Sequence, residues 1–185
     1  MASLILSGST SGSVTLSSPA VSGTTTLTLP TTSGTVITTA STFGGTGPAF
    51  SAYMSASQTV TTSTWTKANF NTEEFDTNSC YNNATYEFTP TVAGYYQVNI
   101  QFTFGGTSPT NVGMALYKNG SVYKYLSLIG PSFGNGGILQ NSCLIYLNGS
   151  TDYIAAYGFC SATGTVTLSG GIEQSSFQAS LVRSA

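Results

Sequence analysis

Residues 84–104 read ATYEFTPTVAGYYQVNIQFTF, and this stretch decides the fold. Pro90 and Gly94 mark a turn, since proline lacks a backbone donor and glycine tolerates angles closed to other residues. After Gly94, bulky residues alternate with more polar ones, the period of two typical of a half-buried β-strand. Five large side chains on one face need a second sheet to cover them, so the core should form around this strand. The bulky set is Tyr96, Val98, Ile100, Phe102 and Phe104.

Other stretches extend the same pattern into an all-β chain. Asn119-Gly120 separates two alternating runs, 111–117 and 121–129, and an Asn-Gly pair in this position predicts a hairpin. In the second run, Val122, Lys124, Leu126 and Leu128 should face one side, and Tyr123, Tyr125, Ser127 and Ile129 the other. Further strands are predicted at 49–55, 65–70, 138–147, 152–160, 164–168 and 177–182.

Three aromatic residues outside this alternating set are candidates for the core or for a contact between subunits. Trp65 should anchor the core or an interface, and Phe177 belongs to the last predicted strand. Tyr95 lies on the face of its strand opposite the core set, where it could meet a symmetry-related copy. With 40% hydrophobic residues and ten charges, little repulsion would keep copies of this chain apart.

The first 48 residues differ from the rest. They are rich in Ser and Thr, and the first charged side chain of the protein is Lys67. Short β-like runs recur at 12–16, 23–29 and 34–38, and glycines at 12, 23, 34 and 45 are spaced by eleven. A fixed period predicts an extended, repeating β arm, and a disordered Ser/Thr linker is the alternative. Three glycines and a proline within 42–48 predict a hinge, so the domains are an arm, 1–48, and a head, 49–185.

Composition excludes several classes of function. Charged residues make up 5% of the chain, against roughly 25% in typical globular proteins, and there is no basic patch. Binding to nucleic acid or to an anionic membrane surface is therefore not expected. No run approaches the roughly 20 apolar residues of a membrane span, so no membrane insertion is expected. Residues 1–10 lack a positive leader, which favours assembly in a cytosol, and Cys80, Cys143 and Cys160 should be buried or idle thiols.

Catalysis finds little support in the sequence. The chain has no histidine, which removes the commonest general base and zinc ligand. A carboxylate pair could serve glycoside hydrolysis, but only six acids exist, and Glu73, Glu74 and Asp76 share one predicted loop, 71–81. These three are weak candidates for a calcium site, and the alternative is a solvated acidic loop. The sequence predicts neither an enzyme nor a required cofactor.

The motif around Pro90 also resembles a known family. Phe88-Thr89-Pro90 with Gly94-Tyr95-Tyr96 is similar to the F-T-x-P-x-x-G-x-Y-x-F signature of complement C1q heads and their tumour-necrosis-factor-like (TNF-like) relatives. The spacing before Pro90 is one residue tighter here, and Val98 replaces the last phenylalanine. Three further stretches match in order over about residues 49–185: 49–52, 112–120 and 176–181. The resemblance implies a C1q/TNF-like jelly-roll sandwich that forms trimers.

The arm resembles a different class of protein. Residues 12–38 are similar to a segment that recurs in tail-fibre and other virion surface proteins of tailed bacteriophages, most clearly in T-L-T-L-P at 26–30 and G-T-V-I-T at 34–38. This resemblance implies a protein of the virion surface, attached to other virion proteins through residues 1–48, and the trimer is implied by the resemblance of the head. Two functions remain open: a fibre or adhesin whose head contacts a host-surface glycan or protein, and a capsid decoration or cement protein.

Overall fold

The chain divides into two compact units, Met1–Ser41 and Thr42–Ala185. The predicted boundary between residues 48 and 49 stays a prediction. Pro48 accepts a hydrogen bond at its carbonyl from the amide of Leu181, at 3.0 Å. This computed structural model describes residues 3–7, 9–17, 23–24, 26, 31, 47–106, 109–130 and 136–185.

The first unit contains an antiparallel hairpin, β1 (Ser3–Ser7) and β2 (Ser13–Ser17), with Ser3 opposite Ser17. β2 overlaps the strand predicted at 12–16, whereas β1 was not predicted. Gly12 has a φ of +79°, which glycine adopts easily and which lets the chain enter β2 from the turn. Within the predicted strand 23–29 the described residues 23, 24 and 26 are not in a strand, and 34–38 lie outside the described residues.

In the described part of the second unit all the regular secondary structure is β-strand, which confirms the all-β prediction. Alternating apolar residues and turn residues explain most of their positions. The strands are β3 (Ala49–Tyr53), β4 (Gln58–Val60), β5 (Thr66–Lys67), β6 (Thr72–Asp76), β7 (Tyr81–Asn82), β8 (Glu87–Phe88), β9 (Gly94–Gly106), β10 (Pro109–Lys118), β11 (Ser121–Ile129), β12 (Gly137–Leu147), β13 (Ile154–Ala162), β14 (Val166–Leu168) and β15 (Ser176–Ser184).

These strands form two sheets, named here for their central strands. In the β9 sheet the order is β4-β14-β9-β15-β3-β6, and a further strand, β12, also pairs with β9. In the β10 sheet the order is β11-β10-β13-β8-β7, and β5 also pairs with β13. β9 is the longest strand and pairs with β12, β14 and β15, so the β9 sheet is organised around it.

The core lies between the two sheets. Tyr96, Val98, Ile100, Phe102 and Phe104 alternate inward from β9 and are all buried. From the β10 sheet come Val112, Met114 and Leu116, which are fully buried against them. Stacked rings fill one end, where Phe50 lies 4.5 Å from Tyr81 and 4.6 Å from Phe88 between ring centroids. Burial of this many large apolar side chains is the main stabilising contribution to the fold.

The Asn-Gly hairpin is confirmed. β10 and β11 pair in antiparallel register, and Asn119 and Gly120 both have positive φ, at 52° and 78°. Positive φ at both central residues defines the type I′ turn, whose twist matches that of the strands on either side.

Strict alternation along β11 is a prediction that the structure contradicts. Register shifts occur between Met114 and Ala115 and again between Leu116 and Tyr117. As a result Leu128, Tyr125 and Val122 pair with Gly113, Ala115 and Tyr117, which all lie on one side of β10. A β-bulge adds a residue to one strand and so changes which side chains share a face.

The acidic segment is also different from the prediction. Residues 72–76 form strand β6 at the edge of the β9 sheet, so the expected acidic loop is wrong for Glu73, Glu74 and Asp76. Pairing with β3 is shifted between Ser51 and Ala52, which marks a bulge at this edge. Edge strands often carry charges and bulges, because both discourage further strand pairing.

Candidate binding surfaces

The outer face of the β9 sheet is polar at its centre. Gln101 donates from Nε2 to the carbonyls of Glu173 and Gln174, at 3.0 and 3.2 Å. Gln178 donates to the hydroxyl of Ser51 at 3.1 Å, and that hydroxyl donates to Glu74 Oε2 at 2.6 Å. The bonds of Gln101 fix the turn before β15, and those of Gln178 and Ser51 join neighbouring strands, so these polar groups are partners of one another.

One end of this face is apolar instead. Tyr95 is 49% exposed, and its ring meets that of Tyr146 at a steep angle with 5.6 Å between centroids. Leu144, two residues from Tyr146 on the same side of β12, is also exposed, and so is Val182 near the end of β15. An apolar end beside a polar centre is a candidate protein contact, because contact surfaces place such patches within polar rims. We call these four residues the Tyr95 patch.

The outer face of the β10 sheet carries a second aromatic group. Trp65 lies between Tyr125 and Phe159, with ring centroids 5.3 and 5.2 Å apart. Gly113 makes room for it: a Cβ added there would lie 2.9 Å from Cη2 of Trp65. Three separate parts of the chain therefore meet above one glycine. Trp65 and Phe159 are half-buried and Tyr125 is 61% exposed, so the rings keep part of their surface in solvent.

The same face continues into a pair of stacked tyrosines. The rings of Tyr117 and Tyr157 lie 3.7 Å apart between centroids and 17° from parallel. Burial raises the pKa of Tyr117, and the neighbouring phenols of Tyr157 and Tyr125 raise that pKa further. Trp65, Tyr117, Tyr125, Tyr157 and Phe159 together are called the aromatic platform below.

Most carboxylates already have structural partners. Asp152 accepts hydrogen bonds from Lys118 Nζ at 2.8 Å, from Asn119 Nδ2 at 2.8 Å and from the amide of Asn148 at 3.1 Å. Burial alone would raise the pKa of Asp152, but these hydrogen bonds outweigh it and place the pKa below its usual range. Asp152 therefore stays ionised and ties the β10–β11 turn to the loop before β13. It is a poor proton donor at neutral pH.

The calcium candidates do not converge on a common point. Glu74 accepts from Ser51, and Asp76 accepts from the amide of Tyr81 at 2.7 Å. Glu73 is exposed. Within the described ranges, no group of three or more His, Cys, Asp or Glu side chains could hold a metal ion. A calcium site at these residues stays a prediction without geometric support.

Two further expectations from composition can be set against the structure. Cys80, Cys143 and Cys160 are free and buried, as predicted. Burial raises the pKa of Cys143 and of Cys160, which suits inert thiols rather than nucleophiles.

In the part of the chain that the structure describes, no helix has the length and apolarity needed to cross a membrane.

Solved structures with a similar fold include a complement domain and murine APRIL. The globular domain of zebrafish complement C1qA matches with 14% sequence identity and a TM-score of 0.50, over 75% of this chain and 99% of that chain. Murine APRIL matches with 10% identity and a TM-score of 0.56, over 74% and 99% of the two chains. The fold is a C1q/TNF-like jelly roll. Protein-family models and curated protein sequences give no match.

Within this jelly roll, the residues predicted for the core and the interface fall into three places. Tyr95 and Trp65 lie on the outer faces of opposite sheets. Tyr117, Tyr157 and Phe159 were missed by sequence reasoning, although their alternation with small residues on β10 and β13 was a usable signal. The predicted residues that lie in the core are Tyr96, Val98, Ile100, Phe102, Phe104 and Phe177.

Proposed function

We propose that this chain is a non-enzymatic surface protein of a bacteriophage virion, a homotrimeric fibre or adhesin whose jelly-roll head contacts the host surface. The observation that carries the proposal is the Tyr95 patch, an exposed apolar area at one end of a sheet face whose centre is polar. Three copies that cover these patches would leave the opposite sheet, with its aromatic platform, free for contact with a host glycan or protein. The protein would assemble in the host cytoplasm and end at the virion surface.

Three further observations support this proposal. The C1q/TNF-like jelly roll is the fold that the resemblance of residues 88–96 implies, and that resemblance also implies trimers. The Ser/Thr-rich arm resembles phage virion proteins and would attach the head to the particle. The chain lacks histidine, and the carboxylates of Glu74, Asp76, Glu87 and Asp152 have partners within the fold.

Decoration of the capsid is the second candidate function. The arm is short for a tail fibre, and a short arm suits a trimer clipped onto a shell. In that case the head would stabilise the particle, and its outer faces would need no ligand.

The test combines labelled virions with a shortened chain. Starting the chain at Thr42 removes the first compact unit and keeps the contact between Pro48 and Leu181. The full chain should scatter light as three times its 19.1 kDa mass and should label intact virions. The shortened chain should keep the trimer mass but fail to join virions. Label along the shell rather than on the tail would favour decoration.

Two outcomes would contradict the proposal. If the shortened chain still joins virions, the arm is not the attachment element. If the full chain is a 19.1 kDa monomer whose melting temperature does not change with concentration, the trimer is wrong, because association stabilises only the folded state.

A further inference from the structure

The aromatic platform presents ring faces and hydroxyl groups together. Its rings contact one another in two sets, Trp65 with Tyr125 and Phe159, and Tyr117 with Tyr157. Register explains why they share a face: Gly113 pairs with Phe159 and Ala115 with Tyr157 across β10 and β13. Small residues on the central strand lie beside large rings from its neighbours, and Tyr125 and Tyr157 flank Ala115 from opposite sides, so the two sets lie next to each other on one face.

The hydroxyl groups of this layer are free to bind a ligand. Among the described residues, Tyr81 and Tyr96 donate their phenol protons to backbone carbonyls, at 2.7 and 2.6 Å. The phenols of Tyr117, Tyr125 and Tyr157 make no such hydrogen bond within the described part of the chain. Each of them can both donate and accept. A polar ligand could therefore replace water at three neighbouring positions without breaking a bond inside the protein.

The two cations near the platform are engaged elsewhere. Lys124 precedes Tyr125 on β11, but it pairs in register with the core residue Leu116, and its Nζ lies 5.8 Å from the ring centroid of Tyr123. Lys67 lies opposite Tyr157 in register, but its Nζ is 2.6 Å from Oε1 of Glu87, with which it forms an ion pair. Beyond Phe159 the face continues into Asn111 and Ser161, an amide and a hydroxyl joined by a 2.9 Å hydrogen bond. A ligand that matches this surface carries hydroxyl or amide groups and no net charge.

We infer that the aromatic platform is a binding site for neutral oligosaccharides. One face of a pyranose ring presents C–H groups, which pack on the electron-rich faces of aromatic rings, while its hydroxyls reach hydrogen-bond partners at the edge. Tyrosine and tryptophan supply such contacts at low entropic cost, because they have only two rotatable side-chain bonds. An acidic glycan would have to draw Lys67 from Glu87 or Lys124 from the ring of Tyr123, and an apolar protein surface would leave the three phenols desolvated and unpaired.

This inference names the ligand class for the head of the proposed adhesin, and it rests on the proposed function for its biological setting. The binding chemistry can be tested on the purified full chain. Trp65 is the only tryptophan in the sequence, so its fluorescence reports directly on the platform. The probes are neutral oligosaccharides of glucose, galactose, mannose and N-acetylglucosamine, with sialylated and sulfated oligosaccharides as the charged comparison. Concentrations should reach roughly 10 mM, because a shallow site offers few contacts to offset the entropy of association.

At least one neutral oligosaccharide should change the emission of Trp65 in a saturable way, and the charged series should bind more weakly. Tyr125→Ala should weaken that binding about tenfold, since it removes one stacking ring from a solvent-exposed position. Tyr123→Ala is the matched control, because it removes the same residue type from the same strand at a 44% exposed site outside the platform. Its affinity should equal that of the unchanged chain. Circular dichroism would verify that both variants are folded.

Several results would overturn the inference. One is the absence of any response to the neutral series, and another is equal binding by Tyr125→Ala and the unchanged chain. A lower oligomer mass in Tyr125→Ala would show that the platform contacts a second copy instead. Failure of the proposed function looks different: the purified chain would bind the sugar through Trp65, but labelled virions would not carry the protein.

Discussion

The outer faces of the two sheets differ in where they place their aromatic residues. On the β9 sheet the centre is a set of hydrogen-bonded amides and hydroxyls, and the aromatic residues Tyr95 and Tyr146 lie at one end. On the β10 sheet aromatic rings occupy the centre, and Asn111 and Ser161 lie beyond them. Both faces have the same core beneath them. The inward residues of both sheets form one core and so determine the fold. The outward residues can differ between the sheets without changing that core.

The largest expected effect tests the two sides of β9 itself. Phe102 is fully buried and stacks on Phe70 at 5.7 Å between ring centroids. Phe102→Ala should lower the free energy of unfolding by about 3–5 kcal/mol, because it leaves a cavity in the core. Gln101→Ala removes only two partly exposed hydrogen bonds and should cost about 1 kcal/mol. Urea denaturation of both variants measures the difference. Equal losses would mean that the outer polar face contributes as much to stability as the core.

A smaller effect should separate the two outer faces. Tyr95→Lys places an unpaired charge in the proposed trimer contact and should raise the dissociation constant of the trimer at least roughly 100-fold, because burying such a charge costs several kcal/mol. Tyr125→Lys puts the same charge on the other sheet and should leave the trimer intact. Light scattering over a dilution series measures both. If Tyr125→Lys dissociates the trimer and Tyr95→Lys does not, the trimer contact lies on the β10 sheet instead of the β9 sheet.

The sequence predicted the fold better than it predicted the surfaces. Alternation after Gly94 was enough to identify β9 and its core face, since five consecutive inward positions are bulky. The Asn119-Gly120 turn was equally clear, because few residue pairs accept positive φ at both positions. Local pattern and backbone geometry agree at these sites, so sequence alone suffices.

The aromatic platform could not be predicted in the same way. Trp65, Gly113 and Phe159 are far apart in the sequence and meet only through pairing of non-adjacent strands. Tyr125 reaches the outer face because it lies between two register shifts in the β10–β11 pair, and the alternation of β11 is reversed only in that short segment. A bulge depends on the fit between two strands and leaves no mark in the period of either one. The misassigned acidic strand β6 has a bulge of the same kind.

The smallest expected effect on stability tests how the platform is built. In Gly113→Ala the new methyl group would lie 2.9 Å from Cη2 of Trp65 and 3.0 Å from Cδ1 of Leu128. Both atoms are at the ends of side chains that can move outward, and the backbone oxygen of Ser127 lies further away, at 3.3 Å, so overpacking should cost about 1 kcal/mol. Loss of glycine also restricts the unfolded chain and offsets about 0.4–1 kcal/mol of that cost. The net change in unfolding free energy should therefore be close to zero.

Although stability hardly changes, the position of Trp65 should. Displacement towards solvent should shift the emission of Trp65 to longer wavelength and weaken the binding of neutral oligosaccharides. Gly130→Ala is the control, because a methyl group there would meet, among the described residues, no more than Oδ1 of Asn111, at 3.8 Å. Its emission should match that of the unchanged chain. If Gly113→Ala also leaves the emission unchanged, Trp65 does not lie over this glycine, and the outer face of the β10 sheet lacks the layered rings that distinguish it from the β9 sheet.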